Sequence, residues 1–146
     1  MLPFKKILYP TDFSEASYEA LKAANELALH FSAELCLVHI VSPVVPASPE
    51  FASSAMRLQE ESAEKTLQEV AKQRVSKELR IRQIVLLGEA ADEIIRMSEE
   101  NKVDLIVIGT HGQTGWRHVV FGSVAEKVVR LAPCPVLTIR APRRER

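Results

Sequence analysis

The chain has 146 residues, of which 47% are hydrophobic and 26% are charged, a composition typical of a soluble globular protein with a single domain of ordinary size. Nineteen basic and nineteen acidic residues give a formal net charge of zero, which argues against recruitment by nucleic acid or an anionic membrane. The sequence contains neither an apolar run of membrane-spanning length nor the apolar stretch of a signal peptide. We therefore expect one domain over residues 1–146, located in the cytoplasm, with a frayed basic tail over residues 141–146.

Apolar periodicity predicts five strands that alternate with four helices. The first half of the chain is predicted to contain a strand at Lys6–Tyr9, a helix with its apolar face from Ala20 to Phe31, a strand at Glu34–Ile40, a proline-rich loop at Ser42–Glu50 and a helix from about Phe51 to Lys77. The second half is predicted to contain a strand at Leu79–Leu87, a helix around Ala91–Ser98, a strand at Val103–Ile108, a helix at Ser123–Leu131 and a strand at Pro135–Arg140. Cys36 and Cys134 lack metal-ligand spacing and are predicted to be reduced core residues.

Alternating strands and helices of this kind predict a three-layer α/β sandwich with a parallel sheet and right-handed crossovers. For five strands the simplest doubly wound order is 3-2-1-4-5. This order places a switch point between the first and fourth strands, and open α/β sheets bind ligands at such points, beyond the carboxyl ends of the strands. The sequence therefore predicts a crevice between the residues that follow these two strands.

A glycine-containing segment follows the fourth strand. Gly109 ends the apolar run, Gly112 follows, and nine residues then separate Gly112 from Gly122 and Ser123. A strand, a glycine loop and a helix N-terminus in this order can direct backbone N–H groups at an anion, and we expect positive φ angles at Gly109 and Gly112. The alternative is ordinary loop punctuation followed by a capping box of Ser123 and Glu126. The segment has neither a Walker G-K-[ST] motif nor the dinucleotide motif G-x-G-x-x-G.

Asp12 follows the first strand and should face the glycine segment across the crevice. One interpretation is that Asp12 caps the first helix. Ser14 is also placed to cap that helix, which would leave Asp12 available to a ligand.

The sequence resembles the universal stress protein family from Lys5 to Arg140. The resemblance lies in the opening KKILYPTDFSEASYEAL, the strand ELCLVHI, the run DLIVIGTHGQTG, the spacing G-x2-G-x9-G-S and the closing APCPVLTIR. It implies a Rossmann-like sheet similar to that of the adenine nucleotide α-hydrolases. Because every position of the glycine motif is present, the chain resembles the ATP-binding branch of the family. The implied ligand is ATP, with or without magnesium, and ADP or AMP are alternatives.

The resemblance also implies roles for residues on both sides of the crevice. Asp12 would bond the ribose hydroxyls beside a wall formed by Pro10 and Thr11. Ile40 would contact adenine, and Gly109 would line the ribose side.

The remaining implied roles concern the phosphates. His111 and Gly112 would begin the phosphate loop, while Gly122, Ser123 and Val124 would offer backbone N–H groups and Ser123 its hydroxyl.

Two histidines need separate interpretation. For His111, a hydrogen bond to phosphate or backbone is favoured over acid–base chemistry because no nucleophile is evident beside it. Strand alternation predicts that His39 points away from Ile40 as a structural histidine. The insert that contains Trp116 and Arg117 is interpreted as an amphipathic surface turn, from which Arg117 could reach a terminal phosphate.

These features favour a cytoplasmic ATP-binding stress or signalling module whose output is a change of conformation or dimer state. We expect slow hydrolysis at most, because no carboxylate other than Asp12 is placed to hold magnesium or to orient water. The alternatives are a slow ATPase and a structural protein that binds a partner with its glycine loop empty. Homodimerisation through the last strand, Pro135–Ile139, is expected from the resemblance and from the apolar sheet edge.

Overall fold

The computed structural model describes residues 2–43, 49–111 and 121–141, with the side chains of residues 49, 50 and 52 excluded. Strands and helices alternate along these residues as β1 (Lys6–Pro10), α1 (Glu15–Phe31), β2 (Glu34–Val41), α2 (Pro49–Arg74), β3 (Ile81–Leu87), α3 (Ala90–Glu100), β4 (Leu105–Gly109), α4 (Ser123–Leu131) and β5 (Val136–Ile139). Within this part of the chain, no helix is long and apolar enough to cross a bilayer.

The five strands form one parallel sheet in the order β3-β2-β1-β4-β5. The prediction of an α/β fold with the order 3-2-1-4-5 is therefore confirmed. In the centre of the sheet, Ile7 of β1 pairs with Leu35 of β2 on one side and with Leu105 of β4 on the other. The switch point lies between β1 and β4, as the sequence indicated.

Each face of the sheet has its own apolar core. Because side chains alternate along a strand, Ile7 and Tyr9 of β1 pack with α1 and α2, while Leu8 packs with α3 and α4. All three side chains are fully buried. The central strand is therefore covered on both faces, and its carboxyl end is held by two independent packing layers.

Several boundaries differ from the predicted ones. Helix α2 begins at Pro49, inside the predicted loop; proline is favourable in the first helical turn because no intrahelical bond uses its missing N–H. Strand β4 begins at Leu105 instead of Val103. The preceding residue, Asp104, lies outside the strand, and its carboxylate accepts the N–H groups of Lys5 and Lys6.

Candidate functional site

A cavity of about 270 Å³ opens at the carboxyl ends of β1, β2 and β4. Every predicted site residue that the structure describes lines this cavity: Pro10, Thr11, Asp12, Ile40, Gly109, His111, Gly122, Ser123 and Val124. Gly112, the remaining member of the predicted set, lies outside the described residues, as do Trp116 and Arg117. The chain thus brings residues from opposite ends of the sequence into one crevice at the switch point.

Asp12 lies in the turn between β1 and α1. Its Oδ1 accepts the backbone N–H of Ser14 at 3.0 Å. Ser14 is the N-cap of α1, and its hydroxyl accepts the N–H of Ser17 at 3.1 Å. The helix is therefore capped by Ser14 and not by Asp12. The half-buried Asp12 carboxylate lines the cavity.

Buried hydroxyl groups fix the backbone on either side of this turn. The Thr11 N–H donates to the carbonyl of Val38 at 2.9 Å, and Thr11 Oγ1 accepts the Phe13 N–H at 3.0 Å. Thr11 Oγ1 also lies 2.9 Å from Ser17 Oγ. The Tyr9 hydroxyl donates to the Ser17 carbonyl at 2.6 Å. Burial raises the pKa of Tyr9 to about 12, so its phenol is a neutral donor at physiological pH.

His39 lies on the opposite face of the sheet from Ile40, as strand alternation predicted, because its ring stacks on Phe13 of one core whereas Ile40 packs against the other core. Both residues nevertheless line the cavity, which was not predicted for His39. Alternation decides the face of the sheet, whereas this cavity lies beyond the strand ends, where residues from both faces contribute. The His39 ring is also hydrogen-bonded, with Nδ1 2.7 Å from the Thr11 carbonyl oxygen, as predicted for a structural histidine.

The missing side chain of Gly109 has a structural consequence that was not predicted. The φ of this residue is not positive, since among the described glycines only Gly88 has a φ in that region, at 149°. A Cβ on Gly109 would lie 3.2 Å from the carbonyl oxygen of Ala16, in the first turn of α1. The missing side chain therefore allows helix α1 to pack closely against the end of β4.

The N-terminus of α4 forms the opposite wall of the cavity. Gly122 is the N-cap and no side chain caps the helix, so the capping box of Ser123 and Glu126, which was the alternative interpretation of this segment, does not form: Ser123 is already the first helical residue. The N–H of Gly122 donates to the carbonyl of Thr110. This bond engages one of the three N–H groups that the resemblance assigned to the phosphates.

The next two N–H groups of α4 differ from that of Gly122 in their hydrogen bonding. In an α-helix the first N–H groups have no intrahelical acceptor, and those of Ser123 and Val124 have no hydrogen-bond partner in the part of the chain described. Both residues line the cavity. Together with the helix dipole, these donors create a partial positive charge at the cavity, which can attract an anion.

The cavity also has an apolar lining, and most of its residues were not predicted to belong to the site. It comprises Val38, Ala90, Ile94, Ile108 and Ala125, beside Ile40. Helix α3 contributes Ala90 and Ile94, although only its packing against the sheet was predicted. The sequence carries no signal for this role, because a residue that covers a cavity and one that covers a core have the same apolar periodicity.

His111 lies at the start of the segment after β4. Its Nδ1 is 3.0 Å from Thr110 Oγ1, and Thr110 is buried.

The described residues contain no group of three or more His, Cys, Asp or Glu side chains arranged to hold a metal ion.

Comparison with known proteins agrees with the fold. The model of the Universal stress protein family matches residues 3–140. The chain belongs to this family. Universal stress protein MJ0531 of Methanocaldococcus jannaschii is 40% identical to it over 146 residues, an alignment that covers 97% of this chain and 85% of the relative. The solved structure of MJ0577 superposes with a TM-score of 0.89 at 30% identity and covers 97% of this chain and 99% of that one.

Other solved structures of universal stress proteins contain nucleotides. One is in complex with cAMP, one from Archaeoglobus fulgidus is in complex with dAMP, and one from Arabidopsis thaliana has AMP bound. They are 17 to 21% identical to this chain, with TM-scores of 0.58 to 0.69, and the alignments cover 94% of this chain and 92 to 98% of theirs. At this level of identity they show the shared fold.

Proposed function

We propose that this universal stress protein binds an adenine nucleotide, with ATP as the preferred ligand, as part of a cytoplasmic stress or signalling response. The observation that carries the proposal is that a carboxylate and the uncapped end of a helix share one cavity. Asp12 lies on one wall, and the N–H groups of Ser123 and Val124 lie on the other. A nucleotide has groups that complement both walls.

Three parts of the cavity match three parts of a nucleotide. The apolar lining around Ile40 and Ile94 suits a base, which gains free energy from burial of its flat surface. The Asp12 carboxylate can accept hydrogen bonds from ribose hydroxyls. The N-terminus of α4 attracts phosphate through its donors and its dipole. The family members whose structures contain cAMP, dAMP or AMP support an adenine nucleotide as the class of ligand.

The cavity suits binding better than rapid hydrolysis. Asp12 is the only acidic side chain among the described residues that line it, whereas fast phosphoryl transfer usually needs carboxylates that hold magnesium and orient the attacking water. In this proposal magnesium accompanies the triphosphate and is held mainly by it. The protein's output is then a change of conformation or dimer state, and turnover is slow or absent.

Calorimetric titration tests the proposal. Wild-type protein is expected to bind Mg-ATP with a Kd in the micromolar range, about −8 kcal/mol. Replacement Asp12→Ala removes charge-assisted hydrogen bonds and should weaken binding about 10- to 100-fold. The matched control is Asp92→Ala, since Asp92 is an exposed carboxylate that pairs with Lys127 away from the cavity lining. Failure of the wild type to bind at millimolar ATP would refute the proposal.

Dimerisation is a second part of the proposal. Strand β5 lies at the edge of the sheet, and Leu137 on this strand is 37% exposed. Pairing with β5 of a second copy would satisfy its backbone groups and cover this side chain. Light scattering at tens of micromolar should give the mass of a dimer, and Leu137→Asp should shift the mass towards the monomer. A monomeric wild type, with and without ATP, would contradict this part.

A further inference from the structure

His39 contacts both neighbours of Asp12 in the chain. It belongs to β2, whereas Asp12 lies in the turn after β1. Its ring reaches the carbonyl of Thr11 on one side of Asp12 and the ring of Phe13 on the other. From this geometry we infer that His39 is a positioning residue, which holds the Asp12 carboxylate at the ribose side of the cavity. The inference rests on the nucleotide-binding function proposed above.

The first contact fixes the backbone before Asp12. The distance between His39 Nδ1 and the Thr11 carbonyl oxygen is 2.7 Å. A carbonyl oxygen can only accept, so Nδ1 must carry the proton in this bond. The Thr11 N–H is held by the Val38 carbonyl at 2.9 Å. Both polar backbone groups of Thr11 are therefore bonded to β2, and the peptide that leads into Asp12 cannot rotate without breaking a bond.

The second contact supports the backbone after Asp12. Phe13 has a φ of 64°, in the left-handed region that a bulky residue occupies only when its surroundings hold it there. Its ring stacks on the His39 imidazole with the centroids 4.3 Å apart and the planes 23° apart. The stacked ring and the bond from the Phe13 N–H to Thr11 Oγ1 hold this conformation.

Asp12 itself lies between these two anchors. Its Oδ1 accepts the Ser14 N–H at 3.0 Å, a bond that requires the turn to keep its present path. Loss of the His39 ring would remove one hydrogen bond and one stacking partner from the turn, and the carboxylate would sample other positions. His39 thus acts on the ligand mainly through Asp12, and its effect should be largest for the part of the ligand that Asp12 contacts.

A ligand-selective experiment separates positioning from general support of the fold. The Kd values of ATP and 2′,3′-dideoxy-ATP are measured for the wild type, for His39→Ala and for His39→Phe, with thermal unfolding used to confirm that each variant is folded. The phenylalanine variant keeps a flat ring for stacking but has no donor, so it preserves the fold if the alanine variant does not. His30→Ala, at the exposed end of α1, is the matched control.

The expected result is a loss of about tenfold in ATP affinity for His39→Ala, as for one or two lost hydrogen bonds, with a smaller loss for His39→Phe. The affinity for the dideoxy analogue should fall much less than the affinity for ATP in both variants, because that ligand has no hydroxyl groups for Asp12. An equal loss for both ligands, or no loss for ATP, would overturn the inference. If the wild type binds neither ligand, the proposed function fails first and the inference fails with it.

Discussion

The two walls of the cavity hold their polar groups in opposite ways. On the β1 side, Thr11 and Asp12 are bonded to their own turn, to α1 and to β2 through hydroxyl, carboxylate and imidazole groups. On the α4 side, Ser123 and Val124 present backbone N–H groups that no partner in the described residues uses. The polar groups of one wall are thus held in place by bonds within the protein, and the other wall has N–H donors that can meet a ligand.

This difference is consistent with a division of labour between the walls. A carboxylate that must meet specific hydroxyl groups needs a fixed position, and a network of buried bonds provides it. An anion, in contrast, is attracted by the field of a helix terminus and needs less exact placement. Substitutions on the first wall should therefore affect stability as well as binding, whereas substitutions on the second should affect binding alone.

The largest effect on stability is expected for Gly109→Val. The new side chain would press against the Ala16 carbonyl, which already lies 3.2 Å from the position of a Cβ, and α1 would have to move away from β4. Overpacking of this kind costs about 1–3 kcal/mol of unfolding free energy. Urea denaturation measures this loss of unfolding free energy, which should be smaller for Gly109→Ala. Unchanged stability of the valine variant would show that the two elements do not pack as described.

A substitution on the α4 wall should weaken binding and leave the fold intact. Proline is tolerated at the first helical position, which Ser123 occupies, so Ser123→Pro removes one backbone N–H donor together with the side-chain hydroxyl. We expect a loss of about tenfold in ATP affinity and no loss for adenosine, which has no phosphate. Ser123→Ala is the control, because it removes the hydroxyl and keeps the N–H. Equal binding of ATP by the proline variant and the wild type would argue against a phosphate at this helix end.

A smaller effect on stability is expected for Tyr9→Phe, in the strand that leads to the first wall. The hydroxyl donates to the Ser17 carbonyl at 2.6 Å, so its removal should cost about 1 kcal/mol at pH 8. The effect should also depend on pH. Because burial raises the pKa of Tyr9 from 10.0 to about 12, the folded state holds the phenol proton more tightly than the unfolded state does.

The stability that the Tyr9 phenol contributes is therefore fully present below pH 10 and is lost between about pH 10 and pH 12. The advantage of the wild type over the phenylalanine variant should shrink across this range. Unfolding midpoints of both proteins, measured from pH 8 upwards, check the sign. A difference that stays constant across the range would mean that the phenol is not buried as described.

The strand order and the location of the cavity could be predicted from the sequence, because both follow from alternating periodicity and from the switch-point rule. The details that failed are those decided by contacts between distant residues. The pattern Gly122-Ser123-x-x-Glu126 allows either Gly122 or Ser123 to cap α4. In the structure Gly122 is the N-cap, and its N–H is bonded to the carbonyl of the distant Thr110. Likewise, Gly109 is explained by a carbonyl of α1, and His39 by a turn 28 residues away in the chain.

The most direct test of nucleotide binding between these two walls is an amide NMR titration of the ¹⁵N-labelled protein with Mg-ATP. Binding in the cavity should shift the amide signals of Asp12, Ile40, Ser123 and Val124, with the largest shifts at Ser123 and Val124, because their N–H groups would gain a phosphate acceptor. Amides at the opposite end of the sheet, such as that of Lys6, should not move. Unshifted Ser123 and Val124 signals at millimolar ATP would contradict the account.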